Sequence, residues 1–246
     1  MFTDDVIEPL LPFDGWYPFN KVNWYYIALI WESFMTSIVV CIYGFVSMTN
    51  SSFTLSLCME LKVLGYSIES IISENNRKNI VKGINKIETN NGIKNNLKNI
   101  IKRHQLLAQM ASEFNDVTGD PMFLNYVFGS VFITLTIFTA TVVDNLYNSL
   151  RYFFMFCSLL LEIFFQCLNG QLLSDHSETL TGSIYKADWT YADNDTKIIL
   201  LILMSRTQKP FQYTANGFLV MNLESFSSVC SMSYQFFNLL YTMYYN

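Results

Sequence analysis

The sequence predicts an all-α membrane protein with four transmembrane helices. The first observation is the spacing of charge. No Asp, Glu, Lys or Arg occurs from Ser33 to Met59, from Pro121 to Val143, or from Ser225 to Asn246. A fourth apolar stretch, Tyr152 to Leu173, holds one acid, Glu162. A helix crosses the hydrocarbon with about 20 residues, so each stretch is long enough. The second observation is composition: 51% of residues are hydrophobic and only 14% are charged. Ordinary soluble domains carry about 25% charge. The third is segregation: of 15 Lys and Arg, all but Lys21 and Arg151 fall between Lys62 and Arg103 or between Ser174 and Tyr213.

The elements follow in order. Residues 1–23 are acidic and turn-rich, with Pro9, Pro12, Gly15 and Pro18, and read as a loop rather than a signal peptide. A helix over 24–64 crosses the membrane and continues beyond it. Residues 65–117 are rich in Asn, Lys and Ile. Apolar residues recur there at helical spacing: Ile80, Ile84, Ile87, then Leu97, Ile100, Ile101, Leu106 and Leu107. Two amphipathic helices around the turn "ETNNGIKNN" are expected. A second span over 118–143 starts with Pro121 in its first turn. A link over 144–151, "DNLYNSLR", leads to a third span, 152–173. Residues 174–195 read as a polar loop. A short helix over 196–209 is closed by Pro210. "YTANGF" reads as a break before a last span, 216–244.

Lys and Arg cluster in loops that stay in the cytoplasm. Both basic segments are therefore expected inside, with 1–23, 144–151 and the C-terminus outside. That orientation is opposite to a G-protein-coupled receptor, and the NPxxY pattern of such receptors is absent. The sequons at Asn50 and Asn194 fall in a span and in a cytoplasmic segment, so neither is expected to be glycosylated.

Several chemistries have no basis in the sequence. The five cysteines have no CxxC or metal spacing and read as small buried hydrophobes. His104 and His176 have no second ligand at metal spacing. No nucleophile triad, paired-carboxylate motif or phosphate loop is present, so no enzyme, cofactor or metal is expected. The basic run from Arg77 to Arg103 lies between two spans, so no nucleic-acid partner is expected.

The C-terminal span carries a pattern of its own. Ser227, Ser231, Gln235, Asn238, Thr242 and Asn246 fall within an arc of about 100° on a helix. In lipid, polar groups must face a partner or water. Helix–helix packing and a water-filled path both satisfy that requirement. Glu162 raises the same alternatives: an ion pathway or ligand contact, or a packing partner for Gln166 one turn on.

The region from Ser205 to Thr242 resembles the C-terminal signature of insect odorant receptors. The matching residues are Arg206, Gln208, Lys209 and Pro210; Thr214, Ala215, Gly217 and Phe218; Leu223, Glu224, Ser225 and Phe226; and Ser233, Tyr234, Phe237, Leu239 and Leu240. Upstream, "LPFDGWYPF" is similar to that family's second extracellular loop, and "RHQLLAQMASEFNDV" to the entry of its fifth span. Gustatory receptors differ in the last span, where a TY precedes QF by five residues; here Gln235-Phe236 directly follows Tyr234.

The resemblance implies the fourth to seventh helices of a seven-helix fold, with a cytoplasmic anchor helix at 196–209 and a pore-lining helix at 216–244. It implies an odorant-gated, non-selective cation channel, a heterotetramer with the common co-receptor subunit, in the plasma membrane of olfactory neurons. Its ligand is a small volatile apolar molecule, and membrane lipid surrounds it. The gate falls on Leu239, the polar position one turn outward on Thr242, and the pore wall includes Asn238 and Gln235. Ligand contacts fall on Trp24, Leu29, Tyr152, Phe153 and Phe156, residues that also suit an interfacial aromatic belt. The absence of three spans leaves a truncated, non-functional or modulatory fragment, or a gustatory-type receptor, as the alternatives.

Overall fold

The computed structural model describes Pro18, residues 23–83 and residues 85–245. Apart from Pro18 and Asn23, the expected N-terminal loop lies outside the described residues, as do Ile84 and Asn246. The described residues form α1 Tyr25–Glu69, α2 Glu74–Lys82, α3 Lys86–Val142, α4 Leu146–Lys186, α5 Asn194–Thr207 and α6 Leu223–Tyr245, in that order. A two-stranded antiparallel ribbon, β1 Thr214–Ala215 and β2 Leu219–Val220, precedes α6. The chain divides into two compact units, Met1–Phe53 and Thr54–Asn246.

In the first unit α1 is apolar and largely uncovered, as a lipid-facing helix must be. Its hydroxyls bond to their own helix: Thr36 to the Glu32 carbonyl at 2.6 Å, Ser37 to Ser33 at 2.8 Å and Thr49 to Phe45 at 2.8 Å. Such back-bonding lets Ser and Thr sit in hydrocarbon without an orphan donor.

The second unit owes its core to one repeated spacing. Leu57, Leu61, Leu64 and Ile68 are buried on the end of α1. So are Ile93, Leu97, Ile100, His104, Leu107 and Ala111 on α3. Leu173, Ser177, Leu180 and Ile184 do the same on α4, and Thr196, Leu200, Leu203 and Thr207 on α5. Each set alternates steps of four and three, the 3.5-residue repeat of helices packed in a coiled-coil-like bundle. This bundle occupies the polar end of the fold. Exposed ion pairs ring it, among them Lys94–Asp195 at 2.8 Å and Arg103–Glu60 at 3.4 Å.

Several boundaries differ from the sequence reading. "ETNNGIKNN" lies inside α3. The break comes earlier, where Gly83 (φ 71°) ends α2 and Asn85 (φ 48°) precedes α3; Gly and Asn tolerate that left-handed backbone best. Ile87 and Leu106, expected on the apolar face, are 80% and 57% exposed because the buried seam runs through Ile93 and Leu107 instead.

Pro121 sits within α3 rather than at a helix start, so the polar segment and the second span are one helix. Residues 174–186 are helical, not loop, because their 4-3-4 seam packs into the bundle. The link between spans shrinks to Val143–Asn145: Asn145 caps α4 through Tyr147 N, and Ser149 bonds back to the Ala140 carbonyl at 2.7 Å.

Among the described residues three helices, α1, α3 and α4, are long and apolar enough to cross a membrane. The 23 residues of α6 are also long enough, at about 1.5 Å per residue, but the polar stripe leaves it without a stretch as apolar as the best of those three.

Candidate functional site

The entry to α6 is built first from the turn before it. Ala215-Asn216-Gly217-Phe218 closes with a Phe218 N to Ala215 O bond of 3.1 Å. Asn216 (φ 50°) and Gly217 (φ 72°) both adopt the left-handed conformation that a tight hairpin turn requires. Asn-Gly is the standard local signal for such a turn. The sequence reading of "YTANGF" as a plain break missed it.

Side chains from three helices hold this hairpin. Thr214 N donates to Asn115 Oδ1 at 2.6 Å, and Asn115 Nδ2 donates to Thr214 Oγ1 at 3.1 Å. Phe211 N donates to Ser177 Oγ at 2.7 Å. The hydroxyls of Tyr213 and Thr54 lie 3.2 Å apart in the core. Burial pushes the Tyr213 phenol up to about 12, so it stays neutral. Gly119 lets α3 approach, since a Cβ there would stand 3.2 Å from the Thr214 carbonyl oxygen.

α6 then starts on Asn222, whose Oδ1 accepts from Ser225 N at 2.8 Å. Ser225 Oγ turns back to the Val220 carbonyl at 2.6 Å. One face of α6 packs on the chain: Ser225, Val229 and Ser233 are buried. Ser233 Oγ reaches the Ser130 carbonyl of α3 at 3.4 Å, and Phe226 meets Phe164 of α4 edge-on at 5.4 Å. At 100° per residue this face points about 150° away from the stripe.

The stripe itself is uncovered. Ser227, Ser231, Gln235, Asn238 and Thr242 are all exposed, and Thr242 Oγ1 donates within the helix, to the Asn238 carbonyl at 2.8 Å. Leu239 is 55% exposed and lies between the two faces. It borders a shallow cleft of about 210 Å³ between α3 and α6, with Thr134 and Phe236.

The expected ligand residues are distributed between the two units. Trp24 and Leu29 lie at the start of α1 in the first; Trp24 is 53% exposed. Tyr152, Phe153 and Phe156 lie together near the start of α4 in the second. The Phe153 and Phe156 rings are 6.3 Å apart, and Arg151 lies over the Tyr152 ring at 5.0 Å.

Glu162 does not pair with Gln166. Asn125 of α3 donates to Glu162 Oε1 at 2.6 Å, while Gln166 Oε1 is buried without a hydrogen-bond partner among the described residues. Cys58 and Cys167 are buried as expected, but Cys41 is exposed. His104 is a packing residue, 5% exposed and tilted against Phe211 at 5.5 Å. Burial and the Arg206 guanidinium hold its imidazole below its ordinary value.

A model of the 7tm Odorant receptor family matches residues 5–234. The chain belongs to the odorant receptor family. This odorant receptor chain is 30% identical to odorant receptor 85b of Drosophila melanogaster over 148 residues, 60% of the chain and 38% of that protein. It is 23% identical to the odorant receptor coreceptor of Anopheles gambiae over 150 residues, 60% of the chain and 31% of that protein. Its fold matches the olfactory receptor OR5 of Machilis hrabei, solved in complex with eugenol, with a TM-score of 0.77 at 14% identity. That match covers 93% of this chain and 56% of OR5. The chain thus spans about a third of the length of the sequence relatives and just over half of the structural one. Membership and the apolar helices make it a membrane protein of a receptor family rather than an enzyme.

Proposed function

We propose that this chain is the second half of an odorant-gated cation channel subunit and that α6 lines the pore. The observation that carries the reading is the division of α6. Ser225, Val229 and Ser233 pack on the chain, and the polar stripe on the far side is left without cover. A spanning helix with bare Gln and Asn side chains needs water or another subunit against them. A central pore supplies the water, and symmetric copies of the same helix supply the walls.

In this reading Leu239 is the gate. An apolar ring at a constriction stops ions by dewetting, and Gln235, Asn238 and Thr242 line the wetted wall around it. Leu239 stands at the edge of the stripe, so a modest rotation of α6 brings it toward or away from the axis. The clamp of Thr54, Asn115 and Ser177 on the hairpin fixes the end from which α6 turns.

The ligand is a small volatile apolar molecule. Tyr152, Phe153 and Phe156 offer it dispersion and shape, and Trp24 and Leu29 are proposed as further contacts. The partner is the co-receptor subunit, in a heterotetramer in the plasma membrane of olfactory neurons surrounded by lipid. The basic segments face the cytoplasm, with 65–117, 174–195 and 196–209 inside and the C-terminus outside.

The test is Leu239→Ser in the complete receptor co-expressed with the co-receptor. Resting current should rise, because a hydroxyl ring no longer dewets. Unchanged resting current together with an unchanged odour response removes Leu239 from the gate.

A further inference from the structure

A cavity of about 560 Å³ lies between α3 and α5 in the second unit. That is within the roughly 300–1,000 Å³ range of small-molecule sites. His104, Gln105 and Gln109 line it from one face of α3, and Ile199, Leu203 and Arg206 from α5. An apolar wall thus meets a few convergent polar groups, as ligand sites require.

The polar groups favour one sign of charge. Arg206 makes no ion pair with any described carboxylate. His104 is buried against Phe211 and makes no hydrogen bond to a described residue, although it lines the cavity. No Asp or Glu lines the cavity, and Gln109 Nε2 donates to Glu113 Oε1 of its own helix at 2.8 Å.

We infer that this cavity binds a small soluble organic monoanion, a carboxylate or phosphate ester on an apolar body. Arg206 takes the charge, His104 and Gln105 take the remaining polar valences, and Ile199 and Leu203 cover the body. A single cation matches a single negative charge. A membrane lipid is the wrong source: Gln109 lies twelve positions before Pro121, about 18 Å of helix short of the uncharged run. The site adjoins the hairpin clamp, because Phe211, whose ring packs at a tilt against His104, is also bonded to Ser177. An occupant would therefore bear, through His104, on the segment that leads into α6. Only that consequence, and the side from which the ligand enters, rest on the channel reading.

The test is equilibrium dialysis of radiolabelled 1-naphthoate against the chain in phosphatidylcholine nanodiscs, with neutral 1-naphthylmethanol as the control for partition into lipid. Saturable binding of naphthoate at one site is expected, weakened about tenfold or more by Arg206→Gln, since charge-assisted bonds are the strong ones. Arg103→Gln, whose side chain pairs with Glu60 outside the cavity, should leave it unchanged. Arg206 is on the surface, so this variant should fold; an unchanged thermal melt verifies it. Equal affinity of the neutral alcohol, equal binding by Arg206→Gln, or no saturable binding overturns the inference. Dialysis needs no current, so its failure and the failure of the channel reading are separate results.

Discussion

Gly170 of α4 lies directly beneath the main-chain carbonyl of Met221, so a Cβ on Gly170 would occupy the place of that oxygen. The contact seats the start of α6 on α4 backbone to backbone. Small residues permit such close approach between membrane helices.

Gly170→Ala must therefore push α6 away from α4. Overpacking of this kind costs about 1–3 kcal/mol. A lower melting temperature and reduced surface delivery are expected. Gly182, on the same helix, faces open space. Gly182→Ala should be neutral or stabilising by up to about 1 kcal/mol, as Ala replaces Gly in a helix. Equal melting of the two variants would show that the Met221 contact is not closely packed.

Tyr213→Phe removes the bond to Thr54 and little else. The expected loss is about 1 kcal/mol, a typical net value for one hydrogen bond. If the hairpin clamp sets α6, the odour dose–response of the complete receptor should also shift. A stability change without a shift would limit Tyr213 to packing.

His104 makes the polar bundle sensitive to acid. Its folded value is below the ordinary one, so between the two the unfolded chain binds the extra proton. Its stabilising contribution is complete above about pH 6.5 and declines as pH falls through that value toward the folded one. Thermal melts at pH 7.5 and 5.5 should differ more for the native chain than for His104→Gln. Parallel pH dependence would assign the acid response elsewhere.

Asn238→Asp separates a pore wall from a packed interface. A carboxylate ring in water should increase cation conductance. In a closed helix–helix interface the same charge would be desolvated and would prevent assembly. Single-channel current with surface biotinylation distinguishes the two outcomes.

The sequence alone determined much of this protein. Uncharged runs of membrane length can only be helices in lipid, because every backbone group must bond internally. The polar stripe on α6 was legible for the same reason: a period of 3.6 fixes which residues share a face. Helix ends were less legible. Nothing local marks 174–186 as helix rather than loop, since Leu180 and Ile184 gain their stability from α1 and α5. Composition alone favours a turn at 88–96; burial of Ile93 and Leu97 makes it helix.

Only the tertiary structure decided which face of α6 the chain covers. Periodicity gives a face but not its neighbour. Ser225, Val229 and Ser233 meet α3 and α4 because Gly170 and Gly119 admit the hairpin, and the stripe is what remains outside. Glu162 shows the same limit. Spacing offered Gln166, one turn along the same helix, but the partner is Asn125, 37 residues away. Hydrogen bonds between helices depend on distances that no single helix encodes.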